Sequence, residues 1–157
     1  MKKSYKNISY DRALEKALRY CAYQERSRKD VYDRLEAWQV SFSDRDKIVD
    51  YLIDLDYLNE KRFVESYIRG KFVFKKWGRN KIRMGLAQKG LKGSQVAQAL
   101  EQEISDEAYR EAIQDLMQKK MDSVHEEDPM KKRDKVYRYL LGKGFESDWI
   151  VEGFNLL

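Results

Sequence analysis

Three stretches of this chain repeat one another, and that periodicity restricts the possible folds more than any other feature. Arg28–Leu35, Arg79–Leu86 and Arg133–Leu140 each begin with a basic residue, have a β-branched residue three positions later, and a leucine four beyond that. The apolar pairs are Val31 with Leu35, Ile82 with Leu86, and Val136 with Leu140. A separation of four places both members on one helical face. The likeness continues downstream, where Lys89-Gly90-Leu91 is followed by Val96 and Leu100 as Lys143-Gly144-Phe145 is followed by Ile150 and Phe154. Each glycine is expected to take a positive φ and close its helix. The lysine before it suits the negative end of the helix dipole. In the first copy, Ala37-Trp38 stands where Lys-Gly is expected, and three extra residues precede Ile48 and Leu52. Upstream, Ala13-Leu14 with Ala17-Leu18 parallels Phe63-Val64 with Tyr67-Ile68, and Ala112-Ile113 with Leu116-Met117.

Each copy therefore reads helix, helix, helix. Helices are expected over 11–25, 28–38, 44–55, 60–75, 79–89, 94–103, 106–122, 129–142 and 147–156. Ser27 with Asp30 and Ser43 with Asp46 have capping-box spacing. Asn59, Ser94 and Ser147 suit other helix starts, and Asp128-Pro129 puts a capping carboxylate before a proline at the first helical position. The expected architecture is all-α: three tandem three-helix, helix-turn-helix-like repeats forming an elongated, curved array. The divisions are a flexible N-terminal extension at 1–10 and repeats at 11–58, 59–104 and 105–157. Composition agrees, since one proline and eight glycines are too few for the frequent turns of a sandwich or barrel.

The types of residue present argue against catalysis. The single histidine, His125, lies in the acidic run His125-Glu126-Glu127-Asp128, which reads as a linker. Asp44, Asp46 and Asp50, with Asp54 and Asp56, lack calcium-loop spacing and its glycine. Gly85, Gly90 and Gly93 read as ending or loosening helices, not as a phosphate cradle. Cys21 is the only cysteine and falls on an apolar helical face, so no intrachain disulfide is expected. No enzyme activity, cofactor or metal is expected. The basic start, Met1-Lys2-Lys3, is followed by no apolar segment, and no run approaches a membrane span. A soluble, cytoplasmic monomer is the expectation.

Charge is the informative property. The net charge is +5, yet Lys61–Lys92 holds eleven lysines and arginines against one acid, Glu65. Glu101–Asp128 holds ten acids against three bases. Such a polar distribution gives a preferred face for polyanions. Basic residues neutralise phosphates, and interleaved aromatics such as Phe72, Phe74 and Trp77 either stack on bases or fill the core between repeats. An acidic protein groove would attract the same face. The candidate contact residues are Arg69, Lys75, Lys76, Trp77, Arg79, Lys81, Arg83 and Lys89.

Leu55-Asp56-Tyr57-Leu58-Asn59-Glu60-Lys61-Arg62-Phe63-Val64 and Gly78-Arg79-Asn80-Lys81-Ile82-Arg83 resemble the central signature of the RecX regulatory proteins. Asp56 stands where that family usually has glycine. The resemblance implies a tandem three-helix-repeat fold and a regulator of the RecA recombinase. It implies binding in the groove of the RecA–single-stranded-DNA filament, with modulation, most simply inhibition, of strand exchange and of the coprotease role in the SOS response. The alternative is a free-standing DNA-binding repeat protein, acting on single- or double-stranded DNA without RecA.

Overall fold

The computed structural model describes residues 8–157; residues 1–7, the greater part of the expected extension, lie outside the described residues. Among the described residues there are nine helices and no strand: α1 (Tyr10–Tyr23), α2 (Arg28–Ala37), α3 (Phe42–Asp54), α4 (Glu60–Val73), α5 (Arg79–Gln88), α6 (Ser94–Glu103), α7 (Asp106–Ser123), α8 (Pro129–Gly142) and α9 (Ser147–Asn155). The expected helix ends are met to within two residues.

Several starts follow the sequence signals. Ser27 and Asp30 form a complete capping box, Asn59 Oδ1 accepts the Arg62 N–H at 3.0 Å, and Asp128 accepts from Met130 and Lys131. Others differ. Ser41, not Ser43, is the N-cap of α3, and Asp46 instead accepts the Tyr32 hydroxyl at 2.7 Å. Ser94 and Ser147 are first helical residues, preceded by Gly93 and Glu146 as caps without a side-chain bond. Ser105 caps α7, accepting from the Ala108 N–H, a cap that the sequence reading did not name although it placed the helix start at 106.

The first copy ends its second helix as the others do, one residue later than the sequence suggests. Val40, Leu91 and Phe145 each donate an N–H to the carbonyl of Leu35, Leu86 and Leu140 respectively. The pair equivalent to Lys-Gly is therefore Trp38-Gln39, not Ala37-Trp38, and Gln39 adopts φ 59° where Gly90 and Gly144 adopt 78° and 98°. The three extra residues make no loop. They lengthen α3, which has 13 residues against 10 in α6 and 9 in α9.

The chain forms two compact units, Met1–Ser66 and Tyr67–Leu157. In the first, α1, α2 and α3 pack on one another. Ala13, Ala17 and Cys21, four residues apart, face Val31, Leu35, Ile48, Val49 and Leu52 in its core. Complete burial of each large aliphatic among them contributes about 1.5–3 kcal/mol. Arg62 ties the start of α4 into this unit, bonding Glu25 at 3.0 Å and Asp56 at 2.8 Å. Asp56 takes φ 62°, tolerable for an aspartate in the left-handed region. Its hydrogen bonds from Arg62 and Asn59 hold its carboxyl below the ordinary range.

In the second unit, α7 packs on α8 and α9, and α5 on α6. The C-terminus of α8 meets the N-terminus of α5 directly. Gly78 N–H donates to the Lys143 carbonyl at 2.8 Å and Asn80 N–H to the Gly144 carbonyl at 3.0 Å. Donors left open by one helix start are thus satisfied by acceptors left open near one helix end, with the two dipoles in favourable series. Contact is close enough that a Cβ on Gly78 would fall on the Gly144 carbonyl, and one on Gly144 would fall on Lys81. Gly85 serves packing too: it lies within α5 and makes room for the Tyr67 hydroxyl, so it ends no helix.

Candidate functional site

The expected contact residues separate into distinct environments. Arg79 is drawn inward by the junction of the second and third repeats. Tyr109 on α7 is fully buried there, its ring 5.3 Å from Phe145, 5.1 Å from Trp149 and 6.1 Å from Phe72. The Tyr109 hydroxyl accepts the Arg79 N–H at 3.0 Å and donates a hydrogen bond to Glu146. Burial, followed by that bond to Glu146, raises the phenol far above its ordinary value, so it stays a neutral donor. The Arg79 guanidinium stacks 3.9 Å from the Tyr109 ring centroid and pairs with Asp106 at 3.2 Å and Glu146 at 3.5 Å. Its side chain is only 12% exposed.

Arg83 lies one turn along α5 from Arg79 and is exposed. Both line an open groove of about 510 Å³ with Leu100, Glu101, Asp106 and Glu146. Asp106 and Glu146 pair with Arg79, whereas no ion pair engages Arg83 among the described residues. Arg69 bonds Glu103 on α6 at 3.1 Å. Lys89 caps the far end of α5, about 12 Å along the helix axis from Lys81.

Lys75, Lys76, Trp77 and Lys81 do come together. The turn after α4 carries Lys75 and Lys76, both exposed, with Lys76 at φ 59°. Lys71 and Lys81 each place Nζ 4.7 Å from the Trp77 ring centroid. That ring is half-buried and already faced by two ammonium groups, which favours a packing and positioning role over stacking on a base. Phe72 packs toward Tyr109, whereas Phe74 is 83% exposed. The cluster gains a member from the third repeat: Lys143 Nζ donates to the Lys75 carbonyl at 2.7 Å. Burial, then the charges of Lys81, Lys75 and Lys76, push its pKa down. Among the described residues, no ion pair engages Lys71, Lys75, Lys76, Lys81 or Lys143. Sequence reading assigned Lys143 only to capping α8; its place here depends on a contact 68 residues away in the chain.

Elsewhere the chemistry is inert. Cys21 is buried, which pushes its thiol up to about 11 and leaves almost no thiolate near neutrality. His125 is exposed in the segment between α7 and α8, where Glu126 pairs with Lys135 at 3.0 Å. Among the described residues, no group of three or more His, Cys, Asp or Glu could hold a metal ion. None of the helices there is long and apolar enough to cross a membrane. What the site offers is uncompensated positive charge on a helical scaffold, suited to binding a polyanion.

Comparison with known proteins agrees with this scaffold. The chain matches the family models for the first, second and third three-helix domains of RecX over residues 13–52, 59–100 and 107–152. It is similar to the crystal structure of RecX from Lactobacillus salivarius, with a TM-score of 0.83 and 30% identity, covering 94% of this chain and 96% of that one. It is 31% identical over 140 residues to the regulatory protein RecX of Clostridium botulinum, covering 88% of this chain and 65% of that protein. For the regulatory protein RecX of Oceanobacillus iheyensis the identity is 27%, and the match covers 87% of this chain and 50% of that protein. The chain thus spans about half to two thirds of the length of these curated relatives.

Proposed function

Because the chain belongs to the RecX family of regulatory proteins, we propose that it is a non-enzymatic, cytoplasmic regulator that binds the RecA–single-stranded-DNA filament and inhibits it. Inhibition would lower strand exchange and the coprotease activity behind the SOS response, and so act on DNA repair and recombination. The observation that supports this reading is the cluster of unpaired lysines in the second unit. A chain with 27 acidic residues could have paired them, yet leaves them open to an external anion. A filament presents such a target, as DNA phosphate and as acidic protein surface.

The test is charge reversal with the fold preserved. Lys75→Glu, Lys76→Glu and Lys81→Glu together should abolish inhibition of the filament while leaving the helical circular-dichroism spectrum intact. Arg79 stays unchanged in this variant, since a glutamate there would face Asp106 and Glu146 and unfold the junction. Inhibition at the unaltered level would remove the cluster from the interface.

A further inference from the structure

Lys143 gives the third repeat a place in binding. We propose that Lys75, Lys76, Lys81 and Lys143 form one seat for the phosphodiester backbone of a nucleic-acid strand, complete only while the third repeat is docked on the second. This rests on the reading above in taking this face as the one used, and adds to it the ligand's chemistry and the part of the third repeat.

Geometry holds the fourth lysine in place on three counts. Its Nζ is anchored on the Lys75 carbonyl at 2.7 Å. Its own carbonyl accepts from Gly78 N–H at 2.8 Å, and the next carbonyl accepts from Asn80 N–H at 3.0 Å. Gly144, at φ 98°, rests against Lys81 so closely that no side chain fits between them. Lys81 is braced in turn by Trp77, 4.7 Å from its Nζ. The seat is therefore built on fixed backbone, not on lysines that happen to share a surface.

The charge pattern points outward. Arg62, Arg69 and Arg79 all meet carboxylates within the fold. Among the described residues no carboxylate pairs with the four lysines, and burial together with their crowding disfavours the charged form of Lys143. Folding thus carries an electrostatic cost that a bound polyanion would reverse. Lys76 adds a strained, left-handed backbone in the same turn. Lysine ammonium groups act as point charges, adequate for a row of phosphates. The planar fork that grips one carboxylate or one phosphate in a fixed geometry belongs to arginine, and none of the four is arginine, so the seat offers a spread of charge to a continuous row of anions. The strand is accordingly read without regard to sequence.

The experiment measures binding of the full chain to a labelled oligothymidylate across a salt series, without RecA. Lys143→Gln should weaken binding several-fold and lower the slope of log affinity against log salt by about 0.7, the value for one phosphate contact on a single strand. Lys75→Gln, Lys76→Gln and Lys81→Gln should each act alike, and Lys119→Gln should not. The thermal midpoint of Lys143→Gln should stay level or rise, which separates lost contact from lost fold. A wild-type slope in Lys143→Gln, beside lowered slopes in the other three, would remove the third repeat from the seat. Displacement of the oligonucleotide by polyglutamate at equal charge would make the ligand an acidic protein and overturn the proposal. So would the absence of salt-dependent binding by the wild type. That last result would leave the regulation of RecA standing, to be judged by assays that contain the recombinase.

Discussion

Arg79 and Lys76 carry the same charge three residues apart and serve opposite ends. Lys76 is exposed and unpaired among the described residues, so removing its side chain takes away little that folding uses. The Arg79 side chain is 12% exposed, stacks on Tyr109 and sits between Asp106 and Glu146. Its removal strands a largely enclosed carboxylate and leaves the aromatic face without its cover. Arg79→Ala should therefore destabilise the protein by roughly 2–4 kcal/mol. Lys76→Ala should stay within about 0.5 kcal/mol of the wild type. Urea titrations of the two variants check both figures, and equal midpoints would contradict the environment assigned to Arg79. Residue type alone cannot separate the two. The partners of Arg79 lie 27 and 67 residues away, and the basic run around it made all its members look alike.

The helices themselves were legible because their signals are local. Val31 with Leu35, Ile82 with Leu86, and Val136 with Leu140 are all completely buried, as their spacing requires. Tyr32 and Tyr137, at matching positions, each bond the start of the following helix through Asp46 and Ser147. The misread caps have a common cause. Ser43, Ser94 and Ser147 are good capping residues beside true helix starts, but the direction of the entering chain puts Ser41, Gly93 and Glu146 at the boundary. Equivalent turns also differ in what surrounds them, which sequence likeness conceals. A Cβ added to Gly90, at φ 78°, would meet nothing within 4 Å, whereas one added to Gly144, at φ 98°, would abut Lys81. Gly90→Ala should accordingly cost about 1 kcal/mol of backbone strain. Gly144→Ala should cost at least about 1 kcal/mol more, because it also pushes α8 away from α5. Equal losses in a denaturant series would mean that the contact between these helix ends contributes nothing.

At the scale of the whole molecule, an all-α chain of tandem three-helix domains was readable from the repeat, and the family from the residues of Leu55–Val64 and Gly78–Arg83. The layout of charge was not. Sequence gives eleven bases in Lys61–Lys92, but folding assigns Arg62, Arg69 and Arg79 to internal pairs and recruits Lys143 from outside the run. What remains open to an external partner is smaller and more localised than the count suggests. The proposed function turns on that remainder meeting a RecA filament. The most direct measurement is DNA-dependent ATP hydrolysis by RecA from the same organism on single-stranded DNA, with this protein titrated in below equimolar amounts. A fall in hydrolysis at low ratios is the predicted result, since a filament regulator acts on many recombinase subunits through few binding events. Unchanged hydrolysis up to equimolar amounts, in a mixture where RecA alone is active, would contradict the account and leave a nucleic-acid-binding protein that works without the recombinase.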